Sequence, residues 1–115
     1  MIRRAVAAAA EHGTAIPVVE AVDSYRETDG TASRIADRRR LRIVQTPQVF
    51  RKDLLRRALT SAAERGYSFT DDCAAVESLG TIVKAPHGSY QNIKITTPED
   101  LSVAELFLRR REVQA

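Results

Sequence analysis

The stretch Asn92-Ile93-Lys94-Ile95-Thr96-Thr97-Pro98-Glu99-Asp100-Leu101 joins a strand pattern, a charged side chain and a helix start within ten residues. Ile93 and Ile95 alternate with Asn92 and Lys94, so a period of two puts both isoleucines on one face and the amide and ammonium on the other. Thr97 is placed to cap a helix. Pro98 follows at the first helical position, where its missing N–H costs nothing, and Glu99 and Asp100 occupy the first turn, where the helix dipole favours acids. A strand that runs straight into a helix is the local mark of an α/β arrangement, whose ligands bind outside the strand ends. Lys94 stands at such an end. Spacing leaves two readings open for it, a ligand-facing cation or a solvated lysine on an edge strand.

The rest of the chain repeats the alternation of helix and strand. Ile2 to His12 is rich in alanine, the best helix former, and Gly13 follows where a left-handed cap is expected. Thr14 to Val22 turns β-branched and predicts a buried strand, with Pro17 near its start. Asp23 to Arg40 is polar, carries a turn signal at Asp29-Gly30 and ends in Arg38-Arg39-Arg40; it reads as a hairpin that leaves the core, with Leu41 to Gln45 returning to the main sheet. Thr46-Pro47-Gln48 breaks that strand. From Lys52 to Arg65, apolar residues at three- and four-residue intervals predict an amphipathic helix stopped by Gly66. Thr70 is placed to cap a shorter helix containing Cys73 and ending at Gly80. Strands are expected at Thr81 to Ala85 and Tyr90 to Ile95. The last helix puts Leu101, Ala104 and Leu108 on one stripe, with Val103 and Phe107 beside it, and is expected to fray at Arg109-Arg110-Arg111.

This order predicts an α/β domain with a largely parallel sheet. About four strands would leave one sheet edge uncovered, as in half of a larger fold. The 115 residues suffice for one domain, and 43% hydrophobic with 29% charged residues excludes disorder. A net charge of +3 calls for no nucleic-acid surface but suits small anions. No apolar run approaches the roughly 20 residues that span a bilayer, and the N-terminus reads as an amphipathic helix rather than a signal peptide. The single cysteine, Cys73, excludes an internal disulfide and a thiolate zinc site, as expected of a cytoplasmic protein. His12 and His87 are isolated, and Tyr25, Tyr67 and Tyr90 are too dispersed to stack bases.

Four blocks in order carry a resemblance: Pro17 to Arg26 (PVVEAVDSYR), Asp37 to Phe50 (DRRRLRIVQTPQVF), Phe69 to Gly80 (FTDDCAAVESLG) and the Asn92 to Leu101 stretch. Together they resemble the C-terminal half of the 2-C-methyl-D-erythritol 4-phosphate cytidylyltransferases. The resemblance implies a Rossmann-like nucleotidyltransferase fold, a three-layer α/β/α sheet present in part, with residues 1–115 forming the C-terminal part of one domain. A β-hairpin arm at about residues 23–40 is expected to protrude and clasp a second subunit in a homodimer. The implied reaction transfers a cytidylyl group from CTP to 2-C-methyl-D-erythritol 4-phosphate and releases pyrophosphate. The family's glycine-rich CTP loop and its Asp-Ala magnesium motif are not found in this sequence. Mg2+ is therefore implied as cofactor with its ligand outside these residues, and the chain alone is expected to be inactive.

Residue by residue, Lys94 and Arg38 match the family's two cations that position the acceptor phosphate, Arg38 serving the partner's site. Ser24 stands where the family usually has threonine and keeps the hydroxyl. Thr46 and Thr70 match threonines around the acceptor, although an N-cap also needs the Thr70 hydroxyl. For Asp71 two roles remain open, orienting Lys94 or favouring the helix dipole. No metal ligands, nucleic acid or membrane are expected. Two other functions remain alternatives: a non-catalytic oligomerisation module, and cytidylyl transfer to another sugar-alcohol phosphate such as ribitol 5-phosphate.

Overall fold

The computed structural model of the chain describes residues 1–114. The alanine-rich start forms α1 (Ile2–His12), in which Ala5 and Ala9, one turn apart, face inward and pack with Ala15. Gly13 ends the helix at φ 87°, and its N–H closes on the Ala9 carbonyl at 2.7 Å. Only glycine takes that backbone turn without strain.

The chain then enters the core as one extended run that is buried from Gly13 to Val19. It is divided into β1 (Thr14–Ala15) and β2 (Val18–Glu20) rather than forming the single strand expected over Thr14 to Val22. Pro17 explains the division, because it offers the ladder no N–H. Its carbonyl still accepts from the Gln45 N–H at 2.9 Å.

The polar excursion is a hairpin, β3 (Arg26–Thr28) and β4 (Ser33–Ile35), paired antiparallel with Arg26 opposite Ile35. Its turn is self-contained. The Asp29 carboxylate accepts from the Thr31 and Ala32 N–H groups at 2.9 and 3.0 Å, and Arg34 pairs across the strands with Glu27 at 2.7 Å. All six strand residues are exposed, so the hairpin projects as an arm. A 3-10 turn at Arg38–Arg40 leads to β5 (Arg42–Val44), which pairs antiparallel with β2, and β6 (Val49–Phe50) pairs antiparallel with β1.

α1 packs on this sheet at Ala15 and Val49, and two further helices pack on it at Ile16, Val18 and Phe50. α2 (Lys52–Glu64) and α3 (Asp72–Glu77) meet through Ala58, Ala75 and Val76, with Leu54, Leu55, Phe50 and Val83 around them. Burying a valine such as Val76 completely contributes about 1.5 to 3 kcal/mol. The cap of α3 is Asp71, whose carboxylate accepts from the Ala74 N–H at 2.8 Å; the expectation that Thr70 caps it is corrected. Aspartate reaches the orphan N–H groups at least as well as threonine, and it sits one residue nearer.

The sheet is α/β in composition but its paired strands are antiparallel, contrary to the largely parallel sheet expected. The parallel partner is Thr81 to Gly88, which lies along the other side of the buried run without forming a regular strand. Ile16 and Val18 donate to the Lys84 and Pro86 carbonyls at 2.9 and 3.1 Å, and Val18 bridges His87 in parallel. The Thr14 hydroxyl accepts from the Lys84 N–H at 3.2 Å, so a side chain replaces one ladder bond. Tyr90 to Ile95, also expected as a strand, is in no ladder.

α4 (Pro98–Gln114) begins where the sequence placed it. The Asp100 carboxylate accepts from the Thr96 and Thr97 N–H groups, each at 2.9 Å, while the Asp100 N–H approaches the Thr97 hydroxyl at 3.4 Å. This reciprocal box holds the first turn. The helix does not fray at Arg109-Arg110-Arg111 but runs on to Gln114, through good helix formers and a Glu105–Arg109 pair at 3.9 Å. No residue of α4 is buried. Among the described residues, no helix is long and apolar enough to cross a membrane.

Candidate functional site

The predicted site residues fall in pairs into three hollows. The first, of about 320 Å³, holds Thr46 and Lys94 between the end of β5 and the segment from Tyr90. Lys94 is exposed, and among the described residues no carboxylate lies within ion-pair distance of it. The position of this segment is set by a side chain that sequence reasoning passed over. The Gln45 amide donates to the Ser89 and Asn92 carbonyls at 2.7 and 3.2 Å and accepts from the Ser89 N–H at 3.1 Å. Asn92 returns the contact, donating to the Thr46 carbonyl at 2.7 Å. Tyr90 adds a third tie from its hydroxyl to the Glu20 carbonyl at 2.9 Å. Lys94, two residues beyond Asn92, is thus carried by a segment clamped to β5 through side chains rather than a ladder.

Gln48 does the same on the other side of Pro47. Its carbonyl accepts from the Cys73 N–H at 3.3 Å and its amide donates to Asp71 at 3.3 Å, tying the loop to the start of α3. The sequence did hold a signal for both residues, since Gln45 and Gln48 bracket the Thr46-Pro47 break within a quoted block. Glutamine is suited to the task because one side chain both donates and accepts.

The second hollow, at the base of the hairpin arm, joins Ser24 to Arg38. The three arginines of the basic run differ here. Arg39 is neutralised by Asp37, which its guanidinium grips at 3.0 Å with two nitrogens, and that contact holds the Asp37 carboxyl below its ordinary value. Arg38 instead donates to the Val22 carbonyl at 2.9 Å and has no carboxylate within ion-pair distance among the described residues. Its charge is available to an anion.

Thr70 and Asp71 border the third hollow, against the end of α2. Of the two roles open to Asp71, the structure contains the one at the helix start. Its partners are Ala74 and Gln48, and Lys94 lies in a different hollow. Thr70 is exposed. Within the chain, then, the three pairs do not converge on one cavity.

Cys73 packs among Ile16, Val18, Phe50 and Val83. Burial, followed by its hydrogen bond to Glu77, pushes its thiol up to about 12, which removes it as a nucleophile. Among the described residues, no group of three His, Cys, Asp or Glu side chains could hold a metal ion. The described residues offer no set that would hold the magnesium ion, whose ligand the resemblance places outside this sequence, and no chemical step here runs through that ion.

A buried extended run flanked by strands and covered by helices, with polar loops carrying uncompensated cations at its ends, defines part of an α/β domain suited to phosphate-bearing ligands. The sequence profile of the 2-C-methyl-D-erythritol 4-phosphate cytidylyltransferase (IspD) family matches residues 1–110. The chain belongs to that family. It is 48% identical over 97 residues to the cytidylyltransferase of Desulforamulus reducens, covering 84% of this chain and 41% of that protein. With the enzyme of Pelotomaculum thermopropionicum it shares 45% over 113 residues, 96% of this chain and 48% of the other. The crystal structure of the Thermus thermophilus cytidylyltransferase superposes with a TM-score of 0.84 at 38% identity, over 94% of this chain and 54% of that one. The chain thus spans about half the length of the curated relatives it matches.

Proposed function

We propose that this chain supplies the acceptor side of a cytidylyltransferase, acting within one domain whose other part binds the nucleotide. In the reaction, a phosphate oxygen of 2-C-methyl-D-erythritol 4-phosphate attacks the α-phosphorus of CTP. The bond from that phosphorus to the bridging oxygen breaks and pyrophosphate leaves. Such transfers depend on position and charge neutralisation more than on covalent chemistry. Lys94 and Arg38 are the two cations assigned to the acceptor phosphate, with Ser24, Thr46, Thr70 and Asp71 around the acceptor.

The observation that supports this most directly is that among the described residues Lys94 and Arg38 have no carboxylate within ion-pair distance, while Arg39, next to Arg38, is paired with Asp37. The hairpin arm, exposed on both strands, is suited to clasp a second subunit so that Arg38 reaches the partner's site. Mg2+ belongs to this reading as a cofactor held outside the described residues. A cytoplasmic setting accompanies it, in keeping with a lone, buried thiol.

The test uses a protein that combines this chain with the rest of the family fold. Lys94→Ala and Arg38→Ala should each lower kcat/KM by about 100-fold or more, and Arg40→Ala by no more than a few-fold. Equal, mild losses in all three overturn the roles. Mixed dimers of Arg38→Ala and Lys94→Ala subunits should regain activity if the arm works in trans, and none should return if it does not. Turnover with ribitol 5-phosphate in place of methylerythritol phosphate decides the acceptor.

A further inference from the structure

Asn92 is held twice by the neighbouring pair Gln45 and Thr46. Its main-chain carbonyl accepts from Gln45 Nε2 at 3.2 Å, and its own Nδ2 donates to the Thr46 carbonyl at 2.7 Å. A single bond would let the segment swivel about it, whereas bonds to adjacent residues fix its direction as well as its place. The anchor is itself rigid. The Gln45 N–H donates to the Pro17 carbonyl at 2.9 Å, and Pro17 is fully buried. A Cβ on Gly88 would overlap the Gln45 side-chain oxygen, so the amide occupies space that a glycine leaves open.

The next fixed point along the chain is the start of α4, where the Thr96 and Thr97 N–H groups donate to the Asp100 carboxylate. Ile93, Lys94 and Ile95 therefore bridge two anchored ends. This matters for Lys94 because a lysine ammonium rides on a flexible four-carbon stem, and a fixed backbone is what limits its range. Thr46 and Lys94 line one hollow of about 320 Å³, and Asn92 bonds the Thr46 carbonyl rather than its hydroxyl. The bond across the hollow thus leaves the hydroxyl and the ammonium to a ligand. Gln45 has no such freedom: the Ser89 and Asn92 carbonyls take its Nε2, which has only two N–H donors.

We propose, on the assignment of Lys94 to the acceptor phosphate, that Asn92 and Gln45 are positioning residues of the acceptor site. Their crossed hydrogen bonds fix the span between Thr46 and Lys94, so that the hydroxyl and the ammonium meet one phosphate together. Both amides act through Lys94 and not on the substrate.

The test measures kcat/KM for methylerythritol phosphate and KM for CTP in a protein that joins this chain to the rest of the family fold. Asn92→Ala should lower kcat/KM for the acceptor about tenfold, chiefly through its KM, and leave KM for CTP within about twofold of native. Gln45→Met, which keeps the length of the side chain and removes its amide, should do the same. In the Lys94→Ala background either substitution should change kcat/KM by less than about twofold, because a residue that acts through the ammonium has nothing left to act on. A purely structural role predicts the same loss in both backgrounds. Equal losses with and without Lys94 therefore overturn the proposal, as does native kcat/KM in folded Asn92→Ala and Gln45→Met. Native kcat/KM in Lys94→Ala itself overturns the role of Lys94, and this inference with it, which tells the two failures apart.

Discussion

Gln45→Ala isolates what holds the Lys94 segment in place. The substitution removes two donated hydrogen bonds and one accepted bond, leaving the Ser89 N–H and the Ser89 and Asn92 carbonyls without their partner. A buried, unsatisfied group costs about 1 to 3 kcal/mol. Ser89 and Asn92 are only half-buried and water can partly replace the amide, so about 2 kcal/mol of local stability should be lost. That is about a 30-fold faster amide exchange at Ser89. The buried amide of Val76 should change much less, since it reports the core. Gly88 provides an independent check. A Cβ there would overlap the Gln45 side-chain oxygen and lie 3.2 Å from the Val18 carbonyl oxygen. Gly88→Ala should therefore be less costly in the Gln45→Ala background than in the native one, with a coupling of about 1 kcal/mol in a double-mutant cycle. Exchange at Ser89 within about threefold of native in folded Gln45→Ala, with additive costs in the cycle, would refute the clamp.

The other predictions concern the helix starts and the buried thiol. Asp71→Ala should lower the urea midpoint by an amount equivalent to about 1 kcal/mol, and Thr70→Ala should leave it within about 0.5 kcal/mol, because only Asp71 caps α3. Asp100 is held down to about 2 by the N–H groups of Thr96 and Thr97, so the charged cap is fully present above its ordinary 3.8 and is lost as pH falls toward 2. Exchange of the Thr97 amide should quicken over that window, and Asp100→Ala should remove the pH dependence. The Cys73 thiol ionises near 9.0 in the unfolded chain and near 12 when folded, so the folded state retains its proton longer. Stability measured by denaturant titration should accordingly fall as pH rises above 9.0 toward 12 in the native chain, with this component absent in Cys73→Ala.

Local signals in this sequence translate well where one residue type answers one backbone need. Gly13 after eleven helical residues, Asp29-Gly30 between two polar arms and Thr97-Pro98 before two acids all act in the structure as their chemistry requires. The errors arise where two groups can answer the same need. Thr70 and Asp71 are adjacent and both can cap; the geometry of the turn, which no pattern records, gives the place to Asp71. Sheet direction is not legible in the sequence because β1–β6 and β2–β5 are short antiparallel pairs separated by the whole arm, and residue patterning is the same for either direction.

The strand expected at Tyr90 to Ile95 differs from these. Its residues alternate as a strand's do, yet a strand's backbone bonds would have to go to a neighbour, and Gln45, Asn92 and Tyr90 instead fix the segment by side chains at the Ser89 to Asn92 end. Beyond Asn92 that support stops, and Lys94 and Ile95 are exposed. The capping box at Thr97 joins α4 to this segment with no intervening loop, so the helix start is the next fixed point after the clamp, and Lys94 lies between the two.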